Sequence, residues 1–94
     1  MVRIGKISVF DTKRVMGYAV KHRKGRLYDI ESYDAKYGKT VQQFCEKGYI
    51  ETDYAAESQT WRITEQGDRY YKHMFGSFHY YEKRLAGIFS FIFG

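Results

Sequence analysis

The stretch TVQQFCEKGYIETDYAAESQTWRITEQGDRYY, residues 40–71, constrains the fold more than any other part of the chain. Its apolar residues first recur at helical spacing and stop at Gly48, a residue suited to ending a helix with positive φ. They then alternate with polar residues over 49–54 and again over 59–64, as in two short strands around a turn. Acidic residues follow Thr64, as at the start of a helix. The pattern predicts a helix, a β-hairpin and another helix in immediate succession.

Three helices are predicted up to this hairpin, because apolar residues recur at helical spacing between glycines. The first is capped by Asp11 or Thr12 and ends near residue 24. The second and third cover 26–38 and 39–47. An alternative remains open, since these two could form one longer helix with Gly38 in its middle, at a cost of about 1 kcal/mol.

The last helix carries the most regular apolar pattern of the chain. Seven apolar or aromatic residues recur at alternating spacings of three and four: Tyr71, Met74, Phe78, Tyr81, Leu85, Ile88 and Ile92. Gly76 and Gly87 interrupt this stripe. A chain of 94 residues has little body with which to cover its second half, so the stripe predicts a homodimer interface. Residues 85–94 are too short to span a bilayer, and we do not expect a membrane partner.

The N-terminal part of the chain is strongly basic. Residues 1–26 contain eight of the 16 Lys and Arg residues but only one of the 11 acidic residues, which gives this segment +7 within a total charge of +5. Such a segment favours contact with a polyanion, although a basic face kept for solubility would have the same composition.

Residues that carry chemistry are scarce. Cys45 is the only cysteine, so an internal disulfide and a Cys-rich zinc site are excluded. His73 and His79 are six residues apart, and a helix would not present both on one face as metal ligands. Glu51 and Asp53 share a strand face without a cleft around them. We therefore expect neither an enzyme nor a cofactor or metal site. No signal-peptide pattern is visible, which predicts a cytoplasmic protein.

Two segments resemble transcriptional regulators of the MarR and PadR type. VQQFCEKGYIE, residues 41–51, resembles the end of their recognition helix and their first wing strand. WRITEQGDRYY, residues 61–71, resembles their second wing strand and "LTxxG" helix start, with Ile63, Thr64 and Gly67 at the matching places.

This resemblance implies an α+β, mainly α, fold of the winged helix-turn-helix type, with three helices, a two-stranded wing and a long C-terminal helix. Residues 1–75 would be the winged-helix domain and 76–94 a helical extension for dimerisation. The helix over 39–47 would enter the major groove of duplex DNA, and no cofactor is implied.

Carried over by position, the resemblance implies DNA contacts from the third helix and its margins: Lys36, Lys39, Thr40, Gln42, Gln43 and Lys47. Gln can pair with adenine and Lys with guanine or phosphate, while Thr40 and free N–H groups at the helix start can hold a phosphate. The wing adds Arg62, and the segment KHRKGR adds four further cations: Lys21, Arg23, Lys24 and Arg26. Gln42 and Gln43 could equally be solvated residues of an outer face.

The wing departs from the family pattern because it is acidic, with Glu51, Asp53 and Glu57 against the single cation Arg62. Phosphate would repel such a wing. The leading hypothesis is a homodimeric DNA-binding transcriptional regulator. The alternative is a winged-helix protein–protein interaction module, an adaptor or inhibitor, that does not bind DNA.

Overall fold

The computed structural model describes residues 8–34, 38–55, 57 and 59–93. These residues form five helices and three strands in the order α1 (Val9–His22), β1 (Lys24–Arg26), α2 (Leu27–Tyr33), α3 (Lys39–Glu46), β2 (Ile50–Asp53), β3 (Thr60–Ile63), α4 (Glu65–Phe75) and α5 (Ser77–Phe93). The strands form an antiparallel sheet in the order β1–β3–β2. The predicted α+β, mainly helical class is confirmed.

The first helix begins three or four residues earlier than predicted and ends about two residues earlier. Ser8 is the N-cap, since its hydroxyl oxygen accepts a hydrogen bond from the Asp11 N–H at 3.0 Å. The two residues proposed as caps, Asp11 and Thr12, instead lie buried in the first turn. The helix ends at His22 because Arg23 takes a positive φ of 73° and turns the chain into β1.

The structure contains one strand, β1, beyond the two hairpin strands that the sequence predicts. It consists of Lys24, Gly25 and Arg26, which carry none of the apolar alternation that identifies a strand. Pairing with β3 holds it in place, with Gly25 opposite Trp61. A Cβ at Gly25 would lie 3.2 Å from the indole nitrogen of Trp61, so glycine lets the strand pass close over that ring.

The second and third helices are separate, which settles the alternative left open by the sequence. Gly38 takes a φ of 92° immediately before α3. The predicted second helix is shortened to Leu27–Tyr33, and its continuation over 35–37 lies outside the described residues. Asp34 bends into the extended region and caps α3, since its Oδ2 accepts hydrogen bonds from the N–H groups of Thr40 (2.9 Å) and Val41 (3.2 Å).

The helix–hairpin–helix succession predicted for residues 40–71 is confirmed. Gly48 has a φ of 82° just after α3, and β2 and β3 pair in register from Ile50 opposite Ile63. Thr64 caps α4 by accepting from the Gly67 N–H at 2.9 Å, and its hydroxyl also donates to the Gly48 carbonyl at 2.7 Å. One threonine thus ties the start of α4 to the end of α3.

The core lies between α1–α4 and the inner face of the sheet. Its largest fully buried side chains include Phe44 from α3, Met16 from α1 and Tyr71 from α4. Trp61, on the inner face of β3, is 2% exposed and packs near Tyr18, with ring centroids 6.1 Å apart. Val41 and Phe44 face inward as predicted, while Cys45 is only half-buried.

The predicted long C-terminal helix is broken at Gly76, whose φ of 91° ends α4. The α5 helix then packs against both α1 and α4. It buries Tyr80 and brings Gly87 against the Lys21 carbonyl of α1, so closely that a Cβ at that position would overlap the oxygen. The break lies at the boundary proposed between residues 75 and 76. The division into two domains stays a prediction.

Candidate nucleic-acid interface and partner surface

The outer face of α3 is polar and exposed. Lys39, Gln42 and Lys47 project into solvent, and Gln43 is half-buried. Glu46 is also exposed on this helix, so the face is of mixed charge. These side chains can donate to and accept from base edges, which makes the face chemically suited to reading a groove. Lys36, the remaining predicted residue at the margin of this helix, lies outside the described residues.

The role predicted for Thr40 is wrong. Thr40 is only 2% exposed, and its N–H already donates to the Asp34 carboxylate. The adjacent N–H of Val41 is bonded to the same carboxylate. The start of α3 therefore has no free donors at these positions for a phosphate, since a buried internal carboxylate takes them.

Three of the predicted cationic contacts are already paired within the chain. Arg23 makes a two-pronged ion pair with Asp68 of α4, with N–O distances of 2.5 and 2.8 Å, and this hydrogen bonding raises the pKa of Arg23. Arg26 pairs with Asp29 at 3.2 Å, and Arg62 pairs with Glu51 at 2.6 Å.

The Arg23–Asp68 pair ties the turn between α1 and β1 to α4, so it is a structural link. The two other pairs are largely exposed, and such pairs contribute little to stability. Lys21 and Lys24 make no ion pair among the described residues.

The hairpin is less acidic in effect than its sequence implies. On the outer face of the sheet, β-pairing aligns Lys24, Arg62 and Glu51 in one row. The ion pair of Arg62 neutralises Glu51 there. In the next row Asp53 accepts a hydrogen bond from the Ala55 N–H at 3.0 Å. The remaining acid, Glu57, is exposed in the turn.

Six of the seven residues in the predicted dimer seam are exposed in the single chain: Met74 (41%), Phe78 (76%), Tyr81 (55%), Leu85 (54%), Ile88 (48%) and Ile92 (61%). Tyr71 is the exception, because it is fully buried in the core and no mate could reach it. The stripe therefore begins at the second member of the predicted seam, Met74, three residues later than predicted. We call these six residues, with the exposed Phe89 beside them, the α5 stripe.

A groove along α1 is a feature that the sequence reasoning missed. It has a volume of about 360 Å³ and is lined by one face of α1 together with Tyr33 of α2 and Lys83 of α5. The α1 residues that line it are Phe10, Lys13, Arg14, Gly17, Tyr18, Lys21 and His22. Their successive spacings alternate between three and one, so a search for cations and aromatics at helical spacing would have found them.

Among the described residues, no group of three or more His, Cys, Asp or Glu side chains could hold a metal ion. No helix among the described residues is long and apolar enough to cross a bilayer. Burial raises the pKa of Cys45, which keeps this thiol protonated rather than reactive at neutral pH.

Comparisons of the chain with protein-family models, with curated proteins and with solved structures gave no match. The site is therefore interpreted from its own geometry.

Proposed function

We propose that the chain is a winged-helix DNA-binding protein whose α3 enters the major groove of a duplex. The order of elements supports this proposal: three helices with a short strand between the first two, followed by a hairpin that joins that strand in one sheet. The Thr64 cap and Gly67 add support, because they fix how α4 leaves the hairpin at the motif that resembles regulators of the MarR and PadR type.

The observation that carries the proposal is the division of α3 into two faces. Val41 and Phe44 anchor the helix in the core, while Lys39, Gln42 and Lys47 face solvent. A helix that is held rigidly and presents amide and ammonium groups outward can both position itself on phosphates and read base edges.

The α5 stripe supports a homodimer. Its α5 residues occupy one side of that helix, whose other side packs on α1, and Met74 lies on α4 just before the break at Gly76. In a two-fold dimer the same stripe meets its own copy, and the pair of α3 helices then reads two half-sites at a fixed spacing.

Selection of bound duplexes from a random pool tests the DNA proposal. We expect an enriched palindromic site, with affinity that falls steeply as salt is raised. Gln42→Ala should change the preferred bases, because Gln42 lies on the reading face of α3. The matched control is Gln66→Ala, since Gln66 is exposed on α4 and should leave the preference unchanged. Recovery of no site, with no duplex binding at low salt, would reject the proposal.

Sedimentation of Leu85→Asp tests the dimer. A charge in the centre of the α5 stripe should convert dimers to monomers, because the mate would have to bury it unpaired. Tyr28→Asp is the control, since Tyr28 is 74% exposed on α2, outside the stripe. An unchanged mass for Leu85→Asp would exclude the stripe as the interface.

A second candidate function is a protein-interaction module. It is favoured by the pairing of Arg23, Arg26 and Arg62 within the chain, which removes three charges that DNA binding would use. Titration with random duplex at two salt concentrations separates the two functions, because binding through several phosphates must weaken with salt.

A further inference from the structure

The α1 groove combines unpaired positive charge with aromatic rings. Lys13 and Lys21 from α1 and Lys83 from α5 line it, and none of the three forms an ion pair with another described residue. No acidic side chain of the described residues lines the groove. Burial raises the pKa of Tyr18, and the nearby Asp29 raises it further, but Arg26 pairs with the Asp29 carboxylate.

The aromatic rings of the groove are held in place by their neighbours. Tyr18 lies between His22 and Tyr33, with ring centroids 4.2 and 4.6 Å away. Arg14 covers the far side of Tyr33, with its guanidinium carbon 4.4 Å from the ring centroid and its Nε donating to the Tyr33 carbonyl at 3.1 Å. These rings are tilted by 38° and 32° to Tyr18, and a cluster held in this way binds a ligand at little entropic cost.

Two open ring faces remain for a ligand. Phe10, at one end of the groove, is 70% exposed, and His22, at the other end, is also exposed. Partial burial and the nearby Lys21 lower the pKa of His22, so the imidazole is neutral at pH 7 and stacks as an uncharged ring. The separation of 12 positions between Phe10 and His22 corresponds to a rise of about 18 Å along α1.

Charge and shape together select an extended ligand. The cations are spread along the length of an open groove, which matches a chain of negative charges better than a single anion. The acidic side chains of a peptide would not stack on the aromatic faces, whereas nucleobases do. We propose that the α1 groove binds single-stranded nucleic acid, with phosphates on the lysines and bases on the rings of Phe10 and His22.

This inference does not rest on the proposed function, because none of the groove residues belongs to α3. Lys21 is the one residue shared with the predicted duplex contacts. A test must therefore separate single-strand binding at the α1 groove from duplex binding at α3.

Fluorescence anisotropy with a 5′-labelled dT12 oligonucleotide provides that test. Contacts from three lysines predict that raising salt from 50 to 200 mM weakens binding by about 20-fold. The double variant Lys13→Glu, Lys83→Glu should weaken dT12 binding by at least tenfold and leave binding of a 12-base-pair duplex unchanged. The matched control carries the same charge change on α3, Lys39→Glu with Lys47→Glu, and should leave dT12 binding unchanged.

A variant that leaves the charge unchanged shows whether weaker binding could come from a loss of the fold. Phe10→Ala removes a ring that is mostly exposed, so the far-ultraviolet circular dichroism and melting temperature should stay unchanged. It should weaken dT12 binding by about tenfold, the loss expected for one stacked base.

Three outcomes would overturn the inference: no binding of dT12 at 50 mM salt, an equal loss from the groove and α3 charge variants, or displacement of dT12 by polyglutamate as efficiently as by unlabelled dT12. If instead duplex binding alone is lost in the α3 variant, the proposed function stands whatever the groove does. The two proposals therefore fail separately.

Discussion

The body formed by α1–α4 and the sheet differs from α5 in where it places its apolar side chains. In the body, Phe44 and Tyr71 are fully buried. In α5, Phe78 is 76% exposed and Ile92 61% exposed, although the sequence pattern of that helix is the more regular of the two. A regular stripe thus indicates that a surface will be covered, but it does not indicate by what.

The contact between α5 and α1 explains the difference. The side of α5 that meets α1 uses Gly87 and the half-buried Lys83, with Tyr80 as its buried aromatic. Close backbone approach at a glycine takes the place of large side chains there. The large apolar residues are left on the opposite side, and the body remains complete without them.

A matched pair of phenylalanines gives the largest expected difference between the regions. Phe44→Ala should lower the free energy of unfolding by about 3–5 kcal/mol, because it opens a cavity in the core. Phe78→Ala should change it by less than about 0.5 kcal/mol in dilute protein, because the ring is exposed in the single chain. Urea denaturation at low protein concentration measures both. Similar losses would mean that α5 is part of the cooperative core.

A matched pair of glycines gives the next largest effect. A Cβ at Gly67 would overlap the Tyr49 carbonyl oxygen inside the body, and a Cβ at Gly87 would overlap the Lys21 carbonyl oxygen between α1 and α5. Gly67→Ala should cost about 1–3 kcal/mol of global stability. Gly87→Ala should instead speed hydrogen exchange in α5 and leave the core amides of α3 and β3 protected.

If Gly87→Ala lowered protection of the core amides as much as Gly67→Ala, the two regions would unfold as one unit. The distinction drawn between body and α5 would then be lost.

The smallest effect concerns thiol reactivity rather than stability. Burial raises the pKa of Cys45, with lesser contributions from Glu31 and Glu46 against a hydrogen bond from Thr52 that lowers it. A raised pKa leaves less thiolate at pH 8, so iodoacetamide should react with Cys45 more slowly than with the same chain in urea.

A single thiol placed on α5 instead of at Cys45 gives a reaction rate to compare with that of Cys45. Ile88→Cys, in a chain that also carries Cys45→Ala, should react faster than Cys45 in dilute protein, because Ile88 is 48% exposed. Its reaction should slow as protein concentration rises if the α5 stripe pairs with its copy. A rate that is slow at every concentration would show that the position is covered within the single chain.

The parts of the fold that follow from short-range pattern were predictable. Gly48 and Thr64 fix their own neighbourhoods through backbone conformation and a local hydrogen bond, and both were identified from the sequence. β1 was not, because three residues without apolar alternation become a strand only through their pairing with β3. The hydrogen bond from the Thr40 N–H to Asp34 was not predictable in this way, because the carboxylate belongs to the residue that follows α2, six positions earlier.

The candidate site shows the same limit. The polarity of Gln42 is a local property of a helix face and was predictable. The pairing of Arg23 with Asp68 joins residues 45 positions apart, so a count of cations over 21–26 overstated the charge available to a ligand. The α1 groove is completed by Tyr33 of α2 and Lys83 of α5, so the sequence of α1 alone does not predict it.

The carboxylate of Asp34 at the start of α3 has a consequence for how the helix can meet a polyanion. It already accepts the hydrogen bonds of two N–H groups in the first turn, the donors that an anion at the end of the helix would need. The tip of α3 therefore offers a nucleic-acid backbone fewer anchoring groups than its side does. An approach along the side of the helix would instead meet the exposed amide of Gln42.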